Sequence, residues 1–295
     1  MNPNTSRAML HLATALAAIS LLVGGCGRKP KSSLAVVVID VSPSGRAATS
    51  KGHGNPGEAS EAQRRAGAAI IAQRCREART ALADLEDNAT GVFSFQVMQV
   101  GSRSSTKPKT LFTWRELQSG APQLMATPQK MQELRDIALR DMERQCVANA
   151  EVTSNSPIHL AMKEALIALQ TRADELAVGG RHEVTSRSLL VFSDFVDPTV
   201  LSTFSKSRRH RERAGRAKRS VKRTKYEALA TAAEASLRLD VPAAVHTVLC
   251  GLADTKDAVS TETSRAAWQL VVPNRSISPS CRQTELQIRV SAGGH

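Results

Sequence analysis

Aromatic residues are scarce: two tryptophans, one tyrosine and six phenylalanines make up 3% of 295 residues. So few rings leave no material for a base-stacking platform of the kind single-strand nucleic-acid binders use. No pair of cysteines or histidines has zinc-ligand spacing, and no internal repeat excludes a solenoid. A serine hydrolase needs Gly-x-Ser-x-Gly at a strand-to-helix elbow, which "SPSGR" (42–46) does not supply. His53, His159, His182 and His246 stand at no spacing that ties them to a nucleophile; His159 and His246 read as structural, one on a helix and one in a strand. Without nucleophile, base and orienting group, the chain does not read as an enzyme. Acidic residues are also in deficit, 27 against 40 Lys and Arg, for a net charge of +13.

That excess is concentrated. Residues 206–225, "KSRRHRERAGRAKRSVKRTK", hold eleven Lys or Arg and a single Glu. Arg208, Arg209, Arg211, Arg213, Arg216, Lys218 and Arg219 are the candidate contacts to a polyanion through phosphate neutralisation. The same segment also reads as a solvated charged insertion.

At the N-terminus Arg7 precedes the apolar stretch "AMLHLATALAAISLLVGG", the pattern of an export signal too short for a comfortable membrane span. Its end, "LLVGGC", resembles the lipobox of bacterial lipoproteins, with Val23, Gly24 and Gly25 before a lipidated Cys26. This predicts a lipoprotein signal peptide over 1–25, a lipidated cysteine and linker over 26–33, and a chain anchored to the membrane rather than spanning it. Gly27 after the cysteine leans towards the outer membrane by the same resemblance. The other cysteines, Cys75, Cys146, Cys250 and Cys281, allow three disulfide connectivities in an exported chain. Chain order favours Cys75 with Cys146 and Cys250 with Cys281. Cys75 also falls on the apolar stripe Ile71, Cys75, Ala78, Leu82, and Cys146 on Leu134, Ala138, Met142, so both equally suit buried helix faces.

From residue 34 the chain reads as one domain. "LAVVVID" (34–40) is a β-branched apolar run, the signature of a strand buried on both faces. Helical periodicity runs over 58–86 and 128–148. Strands are expected at 91–100, 110–117, 187–195 and 243–252, and a last one at "ELQIRV". Ser156 followed by Pro157 reads as an N-cap with proline at the first helical position. Further helices are expected over 225–239 and around Trp268. Alternating strands and helices predict an α/β fold: a Rossmann-like, mainly parallel central sheet flanked by helices on both faces. The basic stretch 206–225 is expected as an insertion and about 271–295 as a C-terminal extension.

Three polar groups stand where an element meets the carboxyl edge of such a sheet: Asp40 with Ser42 and Ser44, Ser156, and Asp194. Carboxylate and hydroxyl oxygens suit a hard cation, Mg²⁺ or Mn²⁺. Few of the donors are charged, so a bound ion stays electrophilic. A phosphatase of the haloacid dehalogenase type also begins with strand and Asp, but Ser42 occupies the place of its second carboxylate. The order instead resembles the von Willebrand factor A domain with its metal-ion-dependent adhesion site, over roughly residues 33–270. That resemblance implies Asp40, Ser42 and Ser44 as the first motif, Ser156 where the family has Thr, and Asp194 in "LLVFSDF" as the last ligand. Thr153 or Ser154 could instead stand for the Thr, and Asp197 competes with Asp194. Phe195 occupies a position that is commonly Gly in the family.

The function expected is therefore a lipid-anchored protein of the bacterial cell envelope, outer-membrane or periplasmic, that binds an acidic protein partner whose carboxylate completes the metal shell. The alternative is a polyanion binder, for lipopolysaccharide, anionic lipid or, least of these, nucleic acid, working through 206–225.

Overall fold

Val36, Val37, Val38 and Ile39 are stiff at χ1 and suit a pleated backbone; they extend as β1 (Lys31–Ile39). The computed structural model describes residues 29–41, 61–89, 91–101, 107–119, 127–152, 157–178, 182–251, 258–273 and 276–278. β1 lies inside a six-stranded sheet with β2 (Gly91–Gln99), β3 (Lys109–Ser119), β4 (Glu183–Phe192), β5 (Val245–Cys250) and β6 (Ser276–Ser278), in the order β3-β2-β1-β4-β5-β6. Doubly wound α/β sheets share this order.

Six helices are described: α1 (Glu61–Asp87), α2 (Pro128–Asn149), α3 (Ile158–Ala177), α4 (Pro198–Arg216), α5 (Ser220–Leu237) and α6 (Ala258–Val271). The pleat sends alternate β1 side chains to opposite faces, so one strand serves two cores. Leu34, Val36 and Val38 meet Ile158, Met162 and Leu169 of α3, Val200 of α4 and Trp268 of α6. Ala35, Val37 and Ile39 meet Cys75, Ala78 and Leu82 of α1 and Leu139, Met142 and Cys146 of α2. Leu134, expected on the buried stripe of α2, is exposed instead.

The α/β class holds, but the sheet is mixed, which corrects the expected mainly parallel one. β1 is parallel to β2 and β4, and β5 to β4 and β6, whereas β2 and β3 are antiparallel. Residues 100–108 are too few for the crossover of a dozen or more residues that a parallel pair requires. The basic stretch forms the second half of α4, the connection 217–219 and the start of α5, a helical hairpin between β4 and β5. The supposed C-terminal extension contributes β6, whose Ser278 pairs with Cys250. The strand expected at "ELQIRV" lies outside the described residues. No helix among those described is long and apolar enough to cross a membrane.

On one face α1 and α2 are joined covalently. The Cys75–Cys146 disulfide, with Cα atoms 5.9 Å apart, closes a sequence separation of 71 residues. Arg79 pairs with Glu143 at 3.0 Å, and Arg135 pairs with Glu86 at 2.6 Å and Asp87 at 2.5 Å. Cys250 is also disulfide-bonded, while Cys281 lies outside the described residues, three positions beyond Ser278. Constraining the unfolded chain over a loop of this length is worth about 2–4 kcal/mol. The double variant Cys75→Ser/Cys146→Ser is therefore expected to lose stability of that order in urea unfolding, and an unchanged midpoint would show that the bridge contributes nothing.

Candidate functional site at the carboxyl edge of the sheet

After β1 the chain proceeds to β2 on one side, while β4 takes the other. Ligands of open α/β sheets gather in the crevice outside the strand ends where the order reverses in this way. Asp40 follows β1 at this point, with its backbone N–H donating to Phe192 O at 2.8 Å and its side chain buried. Residues 193–197 follow β4 at the same edge.

Ser193 joins the two aspartates. Its hydroxyl donates to Asp40 Oδ2 at 2.7 Å and lies 3.5 Å from Asp194 Oδ1. The single proton serves the nearer carboxylate. The same oxygen accepts the Phe195 N–H at 2.9 Å, and Asp194 Oδ1 accepts the Val196 N–H at 3.0 Å. Asp194 Oδ2 is buried and has no hydrogen-bond partner. Ser193 escaped the sequence reading because nothing local distinguishes it from any serine at a strand end.

This loop is strained and held from outside. Phe195 has φ 60°, a left-handed conformation that costs a non-glycine residue about 1 kcal/mol or more. The glycine common at this place in the family resembled would adopt it freely. Here the fully buried Phe195 ring meets Trp268 edge-on at 5.2 Å, and Trp268 Nε1 donates to Phe195 O at 2.9 Å. Across the edge, Gly251 has φ +112°, and a Cβ there would come within 2.3 Å of Ser193 O; Arg74 Nη1 lies 3.5 Å from the same point.

Asp197 is excluded as the alternative to Asp194. Its Oδ1 accepts the Thr199 and Val200 N–H groups as N-cap of α4, at 2.9 and 3.2 Å, and its Oδ2 accepts the His159 N–H at 3.1 Å. One carboxylate thus serves two helix N-termini. This also corrects the expected capping of α3: Pro157 is the cap residue rather than the first helical one, and it makes no side-chain cap hydrogen bond. Proline has no hydroxyl or carboxylate to offer, so the acceptor comes from β4's exit loop.

His159 closes the same junction from the other side. Its Nε2 lies 3.1 Å from Leu237 O at the end of α5, and since a carbonyl only accepts, Nε2 carries the proton. Both ends of the α4–α5 hairpin are therefore tied to the first turn of α3.

Asp40, Ser193 and Asp194 come together. Ser42, Ser44, Ser156, Thr153, Ser154 and Cys26 lie outside the described residues. Among the described residues no three His, Cys, Asp or Glu side chains cluster to hold a metal ion; the expected ligand set contains only two carboxylates.

The basic residues sort by partner. Arg211 donates through Nε and Nη2 to Glu234 at 2.8 and 2.6 Å, and Ser207 donates to the same carboxylate at 2.6 Å. Arg211 thus clasps the hairpin while its side chain stays largely exposed. Arg208 pairs with Glu212 at 3.3 Å. Arg209, Arg213, Arg216, Lys218 and Arg219 are exposed.

No protein-family model matches the chain, and no curated protein matches it. Among solved structures it is similar to the PilB minor pilin from Streptococcus sanguinis, with 11% identity over 90% of this chain and 60% of that one and a TM-score of 0.42. It is also similar to a von Willebrand factor type A protein from Catenulispora acidiphila, with 10% identity over 89% of this chain and 42% of that one and a TM-score of 0.35. The chain spans less than two thirds of either. Similarity this distant says nothing of activity or partner.

The junction at His159 generates a pH dependence. Burial pushes its pKa below the usual 6.5, more strongly than the nearby Asp197 carboxylate raises it. The unfolded chain takes up the proton at about pH 6.5 while the folded one resists it, so stability falls as pH drops below that value. Glu234, held below the usual carboxylate range by Arg211, loses its contribution only at more acid pH. Urea midpoints between about pH 7.5 and 5 should fall in the wild type and fall less in His159→Gln, whose amide keeps a donor; parallel curves would show that His159 does not titrate with folding.

Proposed function

We propose that the chain is a lipid-anchored protein of the bacterial cell envelope, at the outer membrane or periplasmic face, whose von Willebrand factor A-like domain captures an acidic protein partner through a divalent cation. The observation that carries this reading is Asp194 Oδ2, buried without a hydrogen bond beside the Asp40–Ser193 pair. A buried acceptor left unpaired costs about 1–3 kcal/mol, and a hard cation recovers that cost with the oxygen ligands it prefers.

Asp40 and Asp194 would hold Mg²⁺ or Mn²⁺, directly or through water, with Ser42, Ser44 and Ser156 supplying hydroxyl oxygens. Two carboxylates and neutral hydroxyls do not saturate a divalent charge. The ion would therefore act as a Lewis acid towards a carboxylate from outside, and the Asp or Glu of the partner would complete its shell. Ser193 orients Asp40, while Trp268 and Gly251 hold the loop that carries Asp194. The anchor rests on Cys26 after the apolar N-terminal stretch, with acyl chains supplying membrane affinity.

Titration calorimetry with Mg²⁺ or Mn²⁺ should show one site in the wild type and none in Asp194→Asn or Asp40→Ala, with circular dichroism unchanged. Asp194→Asn keeps the shape and the Val196 contact while removing the charge, so it separates ligation from folding. A wild type that binds neither ion at millimolar concentration overturns the metal site. Radiolabelled palmitate should enter the wild type and not Cys26→Ala; equal labelling of the two rejects the anchor.

A further inference from the structure

The α4–α5 hairpin carries positive charge that nothing in it neutralises. Along α4 the buried positions Ser207 and Ala214 and the clasp Arg211 share one side, where Glu234 of α5 holds Ser207 and Arg211. Arg209, Arg213 and Arg216 repeat the same four-and-three spacing on the opposite side. All three are exposed, and none has an ion-pair partner among the described residues. The stripe runs into the connection at Lys218 and Arg219 and onto α5 at Lys222, all exposed as well. Acidic residues are present in the hairpin, but Glu212, Glu227 and Glu234 are engaged by Arg208, Arg223 and Arg211.

At the tip, between Arg219 and Lys222, stands Val221, 80% exposed. It is the most exposed large apolar side chain among the described residues, and it stands amid cations. Ala217 to Arg219 make the connection, the buried positions of α5 are Ala230 and Leu237, and the half-buried Tyr226 stacks on His210 at 6.2 Å.

We propose that the tip of this hairpin docks on an anionic lipid surface, with Arg216, Lys218, Arg219 and Lys222 against headgroup phosphates and Val221 among them. Three observations select this occupant over other polyanions. Tyr226, four residues along α5 from Lys222, is half-buried and already stacked on His210, which makes it a poor platform for bases. The disulfides at Cys75–Cys146 and at Cys250 belong to oxidising compartments outside the cytosol, where membrane phosphates rather than nucleic acid are the abundant polyanion. The apolar residue amid the cations matches an interface that is charged at its surface and apolar just beneath. The site is separate from the carboxyl-edge aspartates and does not depend on them.

The test is vesicle co-sedimentation of the full chain carrying Cys26→Ala, so that no acyl group contributes. Vesicles containing phosphatidylglycerol should bind it, vesicles of phosphatidylcholine alone should bind it far less, and added salt should weaken the difference. Replacing Arg216, Lys218, Arg219 and Lys222 by Gln, which keeps helix propensity, should weaken binding roughly fivefold per cation removed. Val221→Ser should weaken it at every salt concentration. Asp40→Ala should bind vesicles as its parent does. Equal binding to both kinds of vesicle, or a four-Gln variant that binds like its parent, overturns the proposal. A loss in Asp40→Ala would mean that the contact runs through the carboxyl-edge site, and tighter binding to duplex DNA or to polyglutamate than to phosphatidylglycerol would reassign the surface; either result overturns the lipid assignment.

Discussion

Burial of β1 on both faces is the constraint from which the rest of the architecture follows. Leu34 through Ile39 are at most 1% exposed, and a strand that is apolar on both sides needs a helical layer against each. One layer is α1 and α2 and the other α3, α4 and α6. The same constraint fixes where polarity can begin. Asp40 is the first charged residue after the run, and it emerges at the sheet edge where β1 and β4 part to opposite neighbours.

The exit of β4 carries a second burden within five residues. Ser193 binds Asp40, Asp194 presents an unpaired oxygen, Phe195 takes a left-handed backbone, and Asp197 caps two helices at once. The strain at Phe195 is offset by contacts that only its own side chain and carbonyl can make with Trp268. A glycine would relieve the backbone and forfeit the ring packing. The left-handed backbone at Phe195 is thus held by tertiary contacts rather than by local preference.

The hairpin shows how charge and fold are kept apart. Arg211 is used internally against Glu234, while the stripe on the opposite side of α4, Arg209, Arg213 and Arg216, is left to solvent. Its base is locked at His159 through Asp197 and Leu237, so the hairpin is tied to the sheet edge at both its ends while its tip carries the net charge.

Several features were legible from sequence alone because they depend on neighbours a few residues apart. The β-branched run marked β1 and put Asp40 at its end, the three-and-four periodicity marked α1 and α2, and the composition of 206–225 marked the basic surface. Chain order favoured Cys75 with Cys146 but left both equally suited to buried helix faces, and only the packing of α1 on α2 decided it across 71 residues. Other features required partners distant in the chain. Ser193 and Asp40 are 153 residues apart, and His159 and Asp197 38 apart. No local pattern reports that Asp197 is spent on helix caps while Asp194 keeps a lone pair, that Arg211 is neutralised, or that Pro157 borrows its capping acceptor. A sequence pattern states which side of an element is apolar; which polar atom meets which is decided only when the sheet brings strand ends together, because hydrogen bonds act over about 3 Å and are set by packing rather than by spacing along the chain.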